Sequence, residues 1–240
     1  MAGAGKKTFT SGEVLTASDV NTYLMEQSVM YFGGTAARSS AIPTPSTGMT
    51  SYIGVTGTAT IPQIETYTGS AWQTPYGMTL LSASTFTSYA AVSFNNVFTT
   101  TYDAYKIIVT SIDNGNNGSL ISYRFRTGGT DDSGSNYQQV TLGLNGAGSA
   151  ANIAETTTRC KINNFAADFG SAEILVTGPN ITANDKVVLF TSFGYDGNNL
   201  IRTGGLRYLG TSSMDGFTLF NEGATGTMSA RVAVYGFRRS

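Results

Sequence analysis

Histidine is absent from the sequence. This absence excludes every Ser-His-Asp or Cys-His nucleophile system, and it removes the commonest side-chain ligand of transition metals. An enzyme built from this chain would have to use carboxylates, tyrosine, lysine or serine alone. The sequence marks no pair of carboxylates for glycan hydrolysis, since Asp131 and Asp132 are adjacent and the other acidic residues are spread over different turns. We therefore expect no enzymatic activity, no cofactor and no metal.

Cysteine and long apolar runs are also scarce. Cys160 is the single cysteine, so it cannot form an intrachain disulfide, and we interpret it as a small buried strand residue. This excludes a secreted disulfide scaffold. No apolar run approaches the roughly 20 residues that span a bilayer. The opening "MAGAGKKTFTSGEV" has no apolar run behind its lysines, so we expect no signal peptide and synthesis in a cytoplasm.

Charged residues make up only 12 % of the chain, about half of the usual share. The formal net charge is −1, which gives no electrostatic footprint for nucleic acid or for insertion at an anionic membrane. Glycine is abundant instead, with 29 residues, together with Ser, Thr and Asn. This composition favours turns, strands and hydrogen-bonding surfaces.

Residues 1–34 contain the one predicted helix. Thr16 and Asp19 fit the pattern of a capping box, and Gly33-Gly34 is expected to end the helix. Apolar residues recur between them at helical spacing. A helix of about four turns is marginal alone, so this apolar face is expected to contact the chain's own β-domain, another subunit or another protein.

Residues 35–77 are predicted to form an extended arm with a small hairpin. Pro43 and Pro45 favour an extended path. Farther on, Tyr67 and Trp72 flank a turn, and an aromatic pair across that turn would stabilise a hairpin. Trp72 is therefore interpreted as structural, and it marks the end of this segment.

Residues 78–240 predict a β-sandwich. "YDAYKIIVTSI" and "KVVLFTSFGYD" are apolar on both faces, as in central strands, whereas "LISYRFRT" alternates between core-facing Ile121, Tyr123 and Phe125 and outward polar residues. About ten short strands joined by Gly- and Asn-rich turns are typical of a sandwich or jelly roll. The predicted fold is mainly β, an N-terminal helix and extended arm followed by a jelly-roll-like β-sandwich.

The N-terminal run resembles the opening segment of minor virion proteins of tailed bacteriophages. The segments that carry the resemblance are "SGEVLTASDVNTYL", "ARSSAIPTPSTGMTSY" and "YTGSAW". The matching residues are Gly12, Leu15, Thr16, Ala17, Asp19, Val20, Asn21, Leu24, Arg38, Pro43, Pro45, Gly48, Met49, Tyr52, Tyr67, Gly69 and Trp72. "FNNVFTTTYDAYKIIV", "YRFRTGGTDDSGSNY" and "GTMSARVAVYGF" resemble the β-sandwich modules at the ends of such proteins.

Such proteins are tail fibres, minor tail proteins or head fibres, usually trimeric, so the resemblance implies a virion location, a homotrimer and contacts with other virion proteins through residues 1–77. We assign virion attachment or oligomerisation to Val20, Tyr23, Leu24, Gln27, Tyr31 and Arg38.

Two further motifs give weak indications of a phosphate-binding loop and of a Ca²⁺ site. "GAGKKT" lacks the first glycine, the preceding strand and the Ser/Thr of a phosphate-binding loop. "GGTDDSGSNY" places Asp131, Asp132 and Asn136 in one loop, as some Ca²⁺ sites do, but its spacing is not that of an EF-hand. The same residues also stabilise turns without a metal.

Sugar binding is the functional hypothesis that the loops favour, because it needs an aromatic face and a few polar groups. The alternative is that Asn, Asp and Gly serve only the hairpin turns. The candidate glycan-contact residues are Asp113, Asn114, Asn116, Asn117, Tyr195, Asp196, Asn198, Asn199 and Arg202. The sequence thus predicts a virion fibre that adsorbs to a host-surface glycan. The alternatives are a head-decoration or head-fibre protein and an envelope polysaccharide hydrolase.

Overall fold

A computed structural model describes residues 8, 10–21, 28–54, 62–74, 77–113, 119–150, 152–164, 170–182, 186–195, 198–223 and 226–238. The chain divides into two compact units, an N-terminal unit of residues 1–76 and a C-terminal unit of residues 77–240. The sequence placed a boundary between residues 77 and 78. Strands dominate the secondary structure, which confirms the mainly β class.

The first helix of the N-terminal unit, α1, spans Ala17–Asp19. The Thr16 hydroxyl accepts a hydrogen bond from Asp19 N (3.1 Å), and the Asp19 carboxylate accepts one from Thr16 N (3.2 Å), so the predicted capping box is present. The predicted extent of the helix is wrong, because Val29–Phe32 forms strand β1. Branched and aromatic side chains favour strands, and pairing with β2 outweighs the helical spacing.

One sheet organises the rest of the described N-terminal unit. Its elements are β1, α2 (Thr35–Ala41), β2 (Thr50–Ile53), β3 (Gln63–Tyr67) and β4 (Trp72–Gln73). β1 runs parallel to β2, and the remaining pairs are antiparallel. The sequence did not predict α2 before the prolines, and the strands of the predicted extended arm pair with one another in a sheet. Tyr67 and Trp72 do lie opposite each other across the hairpin, with ring centroids 5.5 Å apart.

The C-terminal unit contains thirteen strands among the described residues. They are β5 (Met78–Tyr89), β6 (Ala91–Phe94), β7 (Tyr102–Asp113), β8 (Leu120–Thr127), β9 (Thr130–Asp131), β10 (Tyr137–Asn145), β11 (Ile153–Thr157), β12 (Cys160–Asn164), β13 (Ser171–Thr177), β14 (Lys186–Tyr195), β15 (Asn199–Tyr208), β16 (Gly216–Asn221) and β17 (Met228–Arg238).

These strands form two antiparallel sheets. The large sheet has the order β11-β10-β15-β14-β13-β7-β17-β5, and the small sheet has the order β12-β8-β16-β6, with β9 paired to β8. β7 and β14, the two strands predicted to be central, each have a neighbour on both sides. This confirms that a run apolar on both faces marks an interior strand.

The core lies between the two sheets. Alternate residues of the strands are buried there, and Ile121, Tyr123 and Phe125 of β8 face inward as their spacing predicts. Aromatic rings fill much of the space, for example Phe217, which stacks on Phe94 (4.7 Å between centroids) and on Tyr123 (5.4 Å). Cys160 is fully buried, and burial raises the pKa of its thiol. The result is a β-sandwich, as predicted.

Candidate binding surface

Several strand ends meet at one end of the sandwich. Ala172 of β13 pairs with both Val109 and Ser192, so β7 and β14 run level on either side of β13 and end together at Asp113 and Tyr195. Adjacent strands are about 4.8 Å apart, which places these two ends about 10 Å from each other. β10 ends there too, because Asn145 pairs with Leu200 at the start of β15. We call this end, defined by Asp113, Asn145, Tyr195 and Asn199, the loop end.

The chain enters the sandwich at the opposite end. β5 begins at Met78, which pairs with Phe237 near the end of β17, and Phe237 pairs with Ala104 near the start of β7. β7 then runs its full length of 12 residues before it reaches Asp113. We call this opposite end the entry end. The length of the large sheet therefore separates the entry of the chain from the loop end.

Two turns build the described part of the loop end. Tyr195 and Asn199 face each other across the β14–β15 turn, Tyr195 being half-buried, whereas Asn198 and Asn199 are exposed. The neighbouring β10–β11 turn is tied to this one, since Gly146 N donates to the Asn199 carbonyl (2.6 Å). Asn145 Oδ1 in turn accepts hydrogen bonds from Ala147 N (3.1 Å) and Ser149 N (2.8 Å). Hydrogen bonds from backbone N–H groups to a backbone carbonyl and to an asparagine side chain thus stabilise the two turns.

The β10–β11 turn was missing from the predicted site. Its sequence, "NGAGSAAN", reads as a turn, but only the strand order brings it beside Asn199. Its Ser149 and Asn152 are exposed, and they add a hydroxyl and an amide to the same surface.

The structure places the predicted glycan-contact residues unevenly. Asp113, Tyr195, Asn198 and Asn199 lie at the loop end. Asn114, Asn116, Asn117 and Asp196 lie outside the described residues.

Arg202 is a correction to the predicted site. Its side chain lies on the core side of β15, in line with Leu200, Leu206 and Tyr208, and the residue is only 6 % exposed. The two-residue period of "LIRTGGLRY" already contained this signal. A surface sugar would not reach the guanidinium in this position.

Polar groups inside the sandwich near Arg202 join the two sheets. The amide of the buried Gln139 on β10 accepts from Lys161 N (2.9 Å) and donates to the Lys161 carbonyl (2.6 Å) on β12. Asn163 Nδ2 of β12 donates to the Leu200 carbonyl (3.3 Å). These bonds fix the edge of the small sheet over the large one, and so position the loop end.

The "GGTDDSGSNY" loop lies at the entry end, and its carboxylates are engaged by the protein. Asp131 forms an ion pair with Arg126 and accepts a hydrogen bond from the Thr218 hydroxyl (2.6 Å). Asp132 accepts hydrogen bonds from the Tyr208 hydroxyl, from Asn136 Nδ2 (2.9 Å) and from Gly134 N (2.8 Å). Burial alone would raise the pKa of Asp132, but these bonds outweigh it and lower the pKa below its ordinary value. The arrangement stabilises a turn.

The outer face of the small sheet carries charged side chains that are paired within the chain. Arg124 lies 4.6 Å over the Phe220 ring and donates to the Thr158 carbonyl (3.0 Å). Arg159 donates to both carboxylate oxygens of Glu222 (2.6 and 2.7 Å), which also accepts from the Ser122 hydroxyl. Burial alone would raise the pKa of Glu222. The hydrogen bonds from Arg159 and Ser122 have the larger combined effect, so the pKa lies below its ordinary value.

The predicted attachment residues divide between exposed and buried positions. Tyr31 is exposed and stacks on Tyr52, with centroids 5.9 Å apart, and Val20 is half-buried. Tyr23, Leu24 and Gln27 lie outside the described residues. Arg38 is a correction: it is 7 % exposed, pairs with Glu65, and stacks 4.7 Å above the Trp72 ring. It therefore holds α2 on the sheet of its own unit instead of presenting a charge to a partner.

Within the described ranges, His, Cys, Asp and Glu side chains form no cluster of three that could hold a metal ion. None of the helices in that part of the chain combines the length and the apolar character needed to cross a membrane. A comparison with protein-family models, curated proteins and solved structures finds no match to the chain. The resemblance to phage virion proteins therefore depends on the quoted residues alone.

Proposed function

We propose that this protein is a structural component of a tailed-phage virion, a multimeric tail fibre whose N-terminal unit attaches to the particle and whose sandwich meets the host surface. The observation that supports this proposal best is the position of the loop end. The chain enters the sandwich at Met78, and the predicted contact residues Asp113, Tyr195 and Asn199 lie at the far end of the large sheet. A displayed module needs its contact surface to lie away from the point where the chain enters it.

The loop end suits a sugar ligand in its chemistry. Asn198 and Asn199 present amides on the turn that follows the half-buried Tyr195, and Ser149 and Asn152 add a hydroxyl and an amide on the neighbouring β10–β11 turn. Such groups bind sugar hydroxyls by hydrogen bonds, and the aromatic ring supports an apolar sugar face. Each site would be weak, but several copies on one fibre and several fibres on one particle would add up to strong adsorption through multivalency.

The N-terminal unit offers a surface for the attachment that the sequence resemblance implies. Val29, Tyr31, Tyr52 and Ile64 are exposed on one face of its sheet, and Tyr31, Tyr52 and Ile64 lie side by side in register. Apolar and aromatic residues are enriched at the centres of protein interfaces. In this proposal they contact other virion proteins.

Adsorption competition tests the proposal. Purified full-length protein is added to host cells before phage, and free phage are counted. We expect the wild-type chain to block adsorption and the Asn198→Ala, Asn199→Ala double variant to require at least fivefold more protein. Thr100→Ala is the control, because it removes an exposed polar group just before the start of β7, at the entry end. Failure of the wild-type protein to compete would contradict the receptor-binding role.

Imaging of purified particles with a label on this chain tests the location. Label at the tail supports the tail fibre, and label on the capsid would replace it with the head-fibre alternative. New reducing ends after incubation with host polysaccharide would favour the hydrolase alternative instead.

A further inference from the structure

The outer face of the large sheet, turned away from the core, carries a concentration of exposed apolar side chains. Among the described residues, three adjacent strands present them: Val140 (60 % exposed), Leu142 (63 %) and Leu144 (53 %) on β10, Ile201 (51 %) on β15, and Leu189 (48 %) and Phe193 (44 %) on β14. Scattered exposed apolar residues are ordinary, but a contiguous group of this kind marks an interaction surface.

The strand register shows that these side chains are contiguous. Leu144, Ile201 and Phe193 form one row across β10, β15 and β14. The next row toward the entry end consists of Leu142, Thr203 and Thr191, and the row after it of Val140, Gly205, Leu189 and Leu175. Because Gly205 has no side chain, a shallow groove of about 580 Å³ opens beside Val140 and Val187. We call this set of rows, continued across β7 by Ile108, the apolar face.

The small sheet provides an internal comparison. Its outer face carries Arg124, Arg126 and Arg159, each paired or hydrogen-bonded within the chain. The same protein therefore covers the small sheet with charged groups suited to water, whereas three neighbouring strands of the large sheet expose apolar side chains. This contrast indicates that the apolar face is buried in the working state of the protein.

The outer face of the large sheet carries few charged side chains among the described residues, and three of the four are positive. Lys106 and Glu173 form an ion pair (2.8 Å), while Arg207 and Arg231 are exposed on the same side of β15 and β17. A strongly charged partner would find few complementary groups here. Another copy of this chain fits better, because its net charge of −1 causes little repulsion between copies.

The size of the face also fits a protein partner. The whole outer face of the large sheet, which includes the apolar face on five of its strands, has eight strands about 4.8 Å apart and three rows of outward residues, and it covers about 35 by 20 Å, or roughly 700 Å². It approaches the roughly 800 Å² that each partner buries in a stable interface.

We propose that the apolar face of the large sheet is the contact between copies of this chain. The inference rests on the multimeric fibre proposed above and names the surface that assembles it. Leu142, Ile201 and Phe193 belong to the contact, and the row of Leu144, Ile201 and Phe193 forms its edge toward the loop end.

Sedimentation velocity on the full-length chain tests the inference. We expect the wild-type protein to sediment above its monomer mass of 25.2 kDa at about 50 µM, and the Leu142→Lys, Ile201→Lys double variant to dissociate at least tenfold more readily. Ile181→Lys is the matched control, because Ile181 is 47 % exposed but lies between β13 and β14. A monomeric wild type, or equal association of the lysine variant and the wild type, would overturn the inference.

A second variant guards against misfolding. Leu142→Thr, Ile201→Thr keeps strand propensity, so it should preserve the far-UV circular dichroism and still weaken association. If it folds and associates as tightly as the wild type, the inference is wrong. Imaging of labelled virions tests the proposed function separately from the contact. If the chain multimerises through this face but is absent from virions, the proposed function is wrong and the contact still stands.

Discussion

Arg38 shows how a single side chain can organise a small unit. Its guanidinium pairs with Glu65 and covers Trp72, and both charged side chains are 8 % exposed. Burial lowers the pKa of Arg38 from its ordinary value, but the group stays charged at any physiological pH. Because Ile53 is the only buried hydrophobic residue among the described residues of the N-terminal unit, the Arg38–Glu65 pair supplies much of the buried contact there.

We expect Arg38→Ala to destabilise the N-terminal unit by about 3 kcal/mol or more, because it leaves the Glu65 carboxylate buried without its partner. Trp72 is the only tryptophan and lies in this unit, so its fluorescence during urea unfolding reports the effect. The midpoint should fall and the emission should shift to the red. Arg231→Ala, an exposed arginine of the C-terminal unit, is the control, and an unchanged Trp72 midpoint in Arg38→Ala would contradict the role.

Residue patterns predicted some positions and missed others for clear reasons. The pairing of Tyr67 with Trp72 and the inward direction of Ile121, Tyr123 and Phe125 follow from local spacing. The charge of Arg202 favours an exposed position, whereas the alternation of its strand places the side chain toward the core. The burial of Arg38 depends on Glu65, a residue on another element, and sequence spacing does not reveal such a contact.

At the scale of elements, the turns and strand edges of the sandwich are fastened by carboxylates. Glu222 joins the end of β16 to β8 and to the β11–β12 turn through Ser122 and Arg159. Asp132 joins the loop after β9 to Tyr208 of β15. Both groups have a lowered pKa in the folded protein.

The lowered pKa values of Glu222 and Asp132 determine how the stability of the folded protein changes with pH. A lowered folded pKa adds stability above the unfolded values, about 4.3 for Glu and 3.9 for Asp, and that stability is lost as the pH falls through the folded pKa. We expect the melting temperature to be nearly constant from about pH 6 to 8, where histidine would otherwise titrate, and to fall from about pH 5 to 3.

Calorimetry across this range checks the expectation. Glu222→Gln should have a lower melting temperature at pH 7 and a smaller decrease toward pH 3 than the wild type. Glu173→Gln is the control, because its side chain is 60 % exposed. An acid decrease of equal size in Glu222→Gln and in the wild type would remove Glu222 as a cause.

The elements themselves were only partly predictable. Strand segments with clear alternation or continuous apolar runs, such as β7, β8 and β14, were identified correctly. The apolar residues of β1 continue the preceding helical spacing, which favours a helix. Its parallel partner β2, which makes it a strand, lies about 20 residues farther along the chain. α2 was missed because its seven residues carry no apolar stripe.

At the scale of the molecule, adsorption should depend on how many loop ends act together. If copies assemble through the apolar face, each multimer presents several loop ends, and the avidity of a multimer can exceed the affinity of a single site by about 10² or more. We expect the Leu142→Lys, Ile201→Lys variant, whose loop end is intact, to inhibit phage adsorption far less per chain than the wild type. Dose–response curves in the adsorption assay measure this difference, and equal inhibition per chain would contradict it.

The sandwich could be anticipated as a whole, but its two surfaces could not. Composition and turn spacing predict two packed sheets, because many short strands need a shared core. Which strands are neighbours depends on long-range pairing, for example β7 with β13 and β17. Both the loop end and the apolar face are products of that strand order, so neither could be read from the sequence.

Cys160 has a practical consequence that follows from its place in the core. It is fully buried and the pKa of its thiol is raised, so maleimide reagents should leave the native chain unmodified. A cysteine introduced at Asn198, on the exposed turn, would then be the single reactive thiol of the folded protein. One dye or spin label could thus be attached at the loop end without first removing the native cysteine.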